Sequence, residues 1–297
     1  MIDGLAAFVY RTLLKPAPLR WLANHILLLI IPKNIKIEEG IVSLNPTDPV
    51  ISGALALGIY ETFEMELFRR IVKENMTVLD IGANIGVYSL IAGRRVGPGG
   101  RVIAFEPEPT NFSLLKHNIG KNDLNNVTAY NIAIADVEGT MKLHLSESNK
   151  GHHSLVGGDS SDFSSSILVP VATGDKFLED VNIKHVDVIK IDIEGAEPLA
   201  LKGLAHTLEL PGLTLFFEFS PKTMQDSGFD PKRVLSSLHE KGFSIYEIQE
   251  HKKKLVPIED MGTFVDYFSG TQYSNLLSIK DPKTVAEISD YVFHQAS

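Results

Sequence analysis

The stretch Val78-Leu-Asp-Ile-Gly-Ala-Asn-Ile-Gly86 decides the fold. Its first four residues form the short apolar run of a strand buried on both faces. Two glycines then permit a tight strand-to-helix turn, and residues 85–95 read as a helix. This is a nucleotide-binding arrangement, but not the dinucleotide one. The pattern G-x-G-x-x-G needs a second glycine where a pyrophosphate meets the backbone, and here that position is Asn84. Asp80, at the strand's end, would oppose a pyrophosphate and suits a ligand carrying ammonium and sulfonium groups. The loop therefore favours a cationic nucleoside over a nicotinamide dinucleotide.

Working outward, Glu106 ends the next strand (102–106), 20 residues after Gly86, with Pro107 closing it. A carboxylate there can accept hydrogen bonds from both ribose hydroxyls. Helices at 109–121, 197–208 and 231–241 alternate with strands within 127–134 and at 186–192, 213–219, 243–248 and 275–279. This alternation gives seven strands and predicts a doubly wound, mostly parallel α/β sheet. Right-handed crossovers place ligands at the carboxyl ends of the strands.

Residues 1–57 precede this rhythm and read as a helical and β-hairpin extension to a domain over 58–297. Ile2, Leu5, Val9 and Leu13 lie at helical spacing, and Pro16 and Pro18 break the pattern before the run Ile26–Ile31. That run is too short to span a bilayer and lacks a clear cleavage site. The apolar hairpin over 1–33 either packs on the catalytic domain or a partner subunit of a homo-oligomer, or lies on a membrane surface. Cytoplasmic residence is the expectation. The strand runs 35–37 and 41–44 form a hairpin with a turn at Glu39-Gly40, and 60–73 reads as a helix with Phe63, Leu67 and Ile71 on one face.

The net charge of −9 argues against broad capture of nucleic acid. The absence of cysteine removes disulfides, thiolate metal sites and cysteine nucleophiles. The polar segment 146–166 reads as a disordered insertion or an active-site lid. Its His152 and His153 could supply a base near neutral pH.

Four blocks resemble the FkbM family of class I S-adenosylmethionine-dependent methyltransferases: Gly58-Ile-Tyr-Glu61, Val78–Gly86, Ala104-Phe-Glu-Pro107 and Val186–Glu197. Asn131–Asp136 followed by Gly139 adds a further match. The resemblance runs from about Gly58 to Ile279. It implies a Rossmann-like methyltransferase fold with S-adenosyl-L-methionine as cofactor. Asp80, Gly82, Asn84 and Gly86 would line its methionine end, Glu106 would hold the ribose, the segment around Ala133 and Asp136 would border the adenine, and Ala83 and Pro107 complete the implied cofactor-binding set. Tyr60 and Glu61 would close over it, unless Glu61 simply begins a helix. The family mainly methylates hydroxyl groups, so the implied partner is a small-molecule or glycan acceptor.

A hydroxyl acceptor must lose a proton, so a base at a strand's carboxyl end is expected. Asp192, Glu194 and Glu218 are the candidates. Lys190 reads as a structural partner of one of them, with a Lys190–Glu218 ion pair as the plain alternative. Glu194 and Glu197 also suit the first turn of a helix. No spacing demands a metal, and none is expected. The competing readings are a nicotinamide oxidoreductase and a non-catalytic membrane- or partner-binding module that retains the fold.

Overall fold

The computed structural model describes residues 31–146, 153–156, 163–268, 270 and 272–293. The apolar hairpin expected over 1–33 lies almost wholly outside the described residues, as does His152. Strands β1 (Asn34–Ile37) and β2 (Gly40–Ser43) form the expected hairpin, its turn at residues 38–39. Helices α1 (Ile51–Ala56) and α2 (Thr62–Ile71) lead into the main sheet. Glu250 fixes the start of α2 by accepting bonds from the backbone N–H of Phe63 (2.7 Å) and Glu64 (3.2 Å). These are two of the donors a helix leaves unsatisfied at its first turn.

The chain then runs through β3 (Thr77–Ile81), α3 (Val87–Val96), β4 (Arg101–Phe105), α4 (Pro109–Lys121) and β5 (Val127–Tyr130). Proline at the first position and the Glu108 carboxylate on the Asn111 N–H start α4. Beyond β5, β6 (Ala133–Ala135), β7 (Gly139–Ser146) and β8 (Phe163–Thr173) form a separate three-stranded sheet, ordered β6-β8-β7. The expected strand within 127–134 is thus divided between two sheets. Asn131 marks the break, donating from its side-chain amide to the carbonyls of Glu106 (2.8 Å) and Pro107 (3.0 Å).

After α5 (Gly174–Asp180) the chain returns to the sheet as β9 (Val188–Ile191). It continues through α6 (Glu197–Gly203), β10 (Thr214–Phe219), α7 (Pro221–Asp226), α8 (Pro231–Glu240), β11 (Ser244–Gln249), β12 (Lys254–Pro257), α9 (Met261–Asp266), β13 (Ser274–Ile279) and α10 (Pro282–Glu287). The main sheet has eight strands in the order β12-β11-β13-β10-β9-β3-β4-β5, one more than the seven expected. The addition is β12, a short edge strand antiparallel to β11. The five strands from β10 to β5 are parallel, and β13 runs antiparallel between β10 and β11. Every residue of β9 and β10 is buried, as strands covered on both faces require.

One face is covered by apolar residues of α2 and α3, among them Phe63, Leu67, Phe68 and Leu90. The other is covered by Leu201 of α6, Leu204 just after it, and Leu235 and Leu238 of α8. The chain reverses direction across the sheet between β3 and its neighbour β9, which opens a crevice at their carboxyl ends.

Candidate active site

Asp80, Asp192 and Glu218 lie at or just beyond the carboxyl ends of β3, β9 and β10, and Glu106 follows β4. Parallel strands bring these acids from distant parts of the chain to one cavity. Its lining includes Tyr60, Glu61, Asp80, Gly82, Ala83, Asn84, Glu106, Pro107, Ala133, Asp192, Glu194 and Glu218. Two expected residues stand outside that lining. Gly86 is the residue before α3, with φ 93°, and a side chain there would meet Leu115 at 2.6 Å. Asp136 faces Lys202 at 3.8 Å.

The turn after β3 is tight for a visible reason. Gly82 has φ 83°, and a Cβ there would sit 1.9 Å from the Asp192 carbonyl oxygen. The two strand ends approach too closely for any side chain. Asn84 also adopts a positive φ of 50°, and its N–H donates to Glu106 Oε2 at 2.8 Å. Glu106 Oε1 accepts from the Glu108 N–H at 2.8 Å. Each oxygen keeps a lone pair for a further donor. Burial raises the Glu106 carboxyl to about 8, against the lowering effect of these two amides. Burial also raises Asp80, to about 6, although Ser89 Oγ donates to it at 2.6 Å.

A buried ammonium stands among these acids. Lys190 Nζ is 3.0 Å from Glu64 Oε1 and 3.5 Å from Asp192 Oδ2, and it lies 4.9 Å from the Tyr88 ring centre. Burial alone would lower its pKa, but Glu64, Asp192 and Glu61 hold it well above the ordinary lysine value. The expected alternative pair with Glu218 does not form; Glu64 takes that place. Glu61 precedes α2 in a left-handed conformation (φ 36°), and it accepts from Tyr88 Oη at 2.8 Å and Asn275 Nδ2 at 3.1 Å. Asn275 also donates to Glu64. Burial, then the Glu64 charge, raises Glu61 to about 8.

The turn after β9 carries the remaining acids. Glu194 has φ 55° and Gly195 φ 93°, so the chain reverses before α6. Glu197 folds back at the helix start and accepts from the N–H groups of Ile193 (3.1 Å) and Gly195 (3.2 Å). It therefore serves its own turn. Ligand-capable oxygens of Asp192, Glu194 and Glu218 all lie within 4.8 Å of one another. Burial, then the neighbouring Glu194 and Asp192 charges, raises Glu218 well above the usual carboxylate range.

Phe105, Ile132, Ala133, Ile134, Leu143 and Leu155 form an apolar part of the lining. Leu155 and His153 belong to the polar segment 146–166. Its residues 153–156 are pinned: Ser154 bridges to His144, and its hydroxyl donates to the Glu194 carbonyl at 2.8 Å. From Phe163 the segment is already strand β8, so it is not wholly an insertion. His153 Nδ1 accepts from the Ser146 N–H at 3.2 Å, which leaves the ring proton on Nε2 in the neutral form.

Residues 80–245 match the profile of the methyltransferase FkbM domain, more than half of the chain. The chain belongs to the FkbM methyltransferase family. S-Adenosylmethionine is accordingly its cofactor, and no pyrophosphate-binding glycine pattern competes with that assignment. Among its relatives is the methyltransferase sdnD of Sordaria araneosa, 29% identical over 201 residues, covering 58% of this chain and 74% of that one. The hexuronic acid methyltransferase AglP of Haloferax volcanii is 25% identical over 170 residues, covering 57% and 63%. The crystal structure of methyltransferase FkbM from Methylobacillus flagellatus aligns over 88% of this chain and 59% of that one, with 17% identity and a TM-score of 0.41.

Several residues of this FkbM site escape sequence reading. Glu64 sits three and four residues before Leu67 and Phe68, on the buried face of α2. An acid at that spacing is the signal that could have found it. Tyr88, Ser89, Asn275 and Tyr273 carry no such signal, because only the packing of α3 and β13 against the strand ends brings them in.

Proposed function

We propose that this FkbM methyltransferase methylates oxygen, on a hydroxyl of a sugar, glycan or secondary metabolite. The observation that carries this reading is the group of Asp192, Glu194 and Glu218, whose carboxylates face the same cavity as Glu106 and Asp80. A hydroxyl needs a group to take its proton, and carboxylates beside the methyl donor supply one. The name of the hexuronic acid methyltransferase relative is consistent with a saccharide acceptor.

The residues present fit the cofactor. S-Adenosylmethionine supplies an electrophilic methyl group on a positively charged sulfur. Glu106 keeps lone pairs toward the cavity for ribose hydroxyls, and the apolar wall at Ile132–Ile134 and Leu155 suits the face of a nucleobase. Asp80 and Glu61 supply negative charge for the cationic end. Burial of Glu218 among other acids pushes its proton affinity upward, the direction a base acting at neutral pH needs. Alignment in the closed cavity contributes the rest, since well-oriented groups gain up to about 7–11 kcal/mol.

The test is transfer of an isotopically labelled methyl group to a panel of neutral and acidic saccharides and hydroxylated metabolites. Glu218→Gln should lower turnover by about 10²–10⁴-fold, with affinity for S-adenosylhomocysteine within threefold of the native chain. A product whose methyl group leaves in mild alkali is an ester and not an ether. That result, or methylation of nitrogen, would overturn the reading.

A further inference from the structure

We propose that Asp192, Glu194 and Glu218 form a binding site for one hard divalent cation of the Mg²⁺ or Mn²⁺ class. The sequence gives no reason to expect a metal, because the three acids are divided between two strand ends and their spacing is not that of a metal motif. The fold joins them. One carboxylate oxygen from each lies within 4.8 Å of the other two, a separation that a shared ion spans through bonds of about 2.0–2.6 Å.

Glu218 points independently to a ligand. Its residue is 9% exposed, and it lines the cavity. Among the described residues its carboxylate receives no hydrogen bond and makes no ion pair within 4.0 Å. Lys190 is engaged instead with Glu64 and Asp192. A buried carboxylate without a partner is costly unless a proton or a cation meets it. Behind it, Glu197 is fully buried, and its Oε2 also lacks a hydrogen-bond partner. The negative field at Glu218 therefore comes from three acids, not two.

The donor set selects the ion. All three groups offer carboxylate oxygen, which suits Mg²⁺, Mn²⁺ or Ca²⁺, and the chain has no cysteine to favour a softer metal. In functional terms the inference rests on the methyltransferase reading: the ion would sit where an acceptor hydroxyl must enter and, when bound, would lower that hydroxyl's own proton affinity in place of Glu218 acting as a free base. The binding test itself is independent of that reading.

The full-length chain is titrated with Mn²⁺ and followed by the loss of the free-ion paramagnetic resonance signal. S-Adenosylhomocysteine binding is measured in parallel by calorimetry. We expect one Mn²⁺ per chain, displaced by Mg²⁺. Glu218→Gln and, separately, Glu194→Gln should weaken Mn²⁺ at least tenfold while S-adenosylhomocysteine affinity stays within threefold. The second variant alters a half-buried side chain, so it serves if circular dichroism shows the first to be misfolded. No saturable Mn²⁺ binding, or binding that both variants leave unchanged, overturns the proposal. A chain that binds S-adenosylhomocysteine but not Mn²⁺ sinks the cation site alone. Mn²⁺ bound without any S-adenosylhomocysteine binding keeps the cation site and sinks the cofactor fit.

Discussion

Lys190 Nζ and Glu64 Oε1 meet at 3.0 Å with both side chains essentially excluded from solvent, joining the centre of the sheet to α2. Removing one partner strands the other as a buried charge. Lys190→Met should cost about 3–5 kcal/mol of folding free energy, the range for breaking a buried pair. Replacing both residues, as Lys190→Met with Glu64→Met, should recover part of that loss, because the buried Glu64 charge is no longer stranded, while Asp192 and Glu61 still lose their cation. Urea denaturation of the two single variants and the double variant reads the difference. A double variant as unstable as Lys190→Met would show that the pair is not the unit of stability.

Glu106 has a different task. Its two oxygens already accept the Asn84 and Glu108 amides, each keeps a lone pair for a further donor, and the residue lines the cavity. Glu106→Ala should weaken S-adenosylhomocysteine by about 10–100-fold, since hydrogen bonds to a charged group contribute about 1.5–3 kcal/mol. The same change should leave the affinity of 5′-methylthioadenosine reduced in parallel, because the ribose is common to both. Calorimetry with both ligands checks this, and an effect confined to one of them counts against the ribose contact.

The acids also set a pH dependence. Burial raises Glu61 and Glu106 from 4.5 to about 8, and Asp80 from 3.8 to about 6. Between the ordinary and raised values the folded chain holds more protons than the unfolded chain. Their contribution to stability is therefore complete below about pH 4, in the ordinary carboxyl range, and is lost as pH rises, through about 6 for Asp80 and about 8 for Glu61 and Glu106. The melting temperature of the ligand-free chain should fall between pH 6 and pH 9. A cationic ligand favours the ionised acids, so S-adenosylmethionine binding at pH 7 should release protons. Calorimetry in buffers of different ionisation enthalpy measures that release, and its absence would separate these acids from the ligand.

The strand-end glycine is testable without any ligand. Gly82→Ala combines a positive φ with a Cβ 1.9 Å from the Asp192 carbonyl oxygen. It should cost about 2–5 kcal/mol. Gly97→Ala, at φ 65° and ψ −170° with nothing within 4 Å, carries backbone strain without a steric clash and should cost about 1–3 kcal/mol. Equal losses in thermal melts would mean that the close approach at Gly82 is relaxed in solution.

Much of the main sheet is legible in sequence because its strands carry a local signal. Val188–Ile191 is apolar apart from Lys190, and Pro109 with Glu108 announces the start of α4. The loop from Asp80 and the acid at Glu106 are equally readable, since each follows such a strand. What is lost lacks a local pattern. Strand β7 shows mixed burial, and β8 runs out of a Ser-rich segment, so neither announces a sheet. β12 has four residues and only one fully buried apolar side chain, Leu255. The partner of Lys190 is unreadable for a further reason. Glu64 lies 126 positions earlier in the chain, and no spacing connects them.

The sequence by itself determined the cofactor class. The turn from Asp80 to Gly86 has an acid and an asparagine where a pyrophosphate needs glycine and no charge, and that is local chemistry. Tertiary structure decided the arrangement around it. It placed Asp192, Glu194 and Glu218 within reach of one another, gave Lys190 to Glu64, and turned Leu155 and His153 into the cavity wall. Parallel strands deliver their carboxyl ends to one edge regardless of sequence distance, and only that convergence makes separate acids into a site.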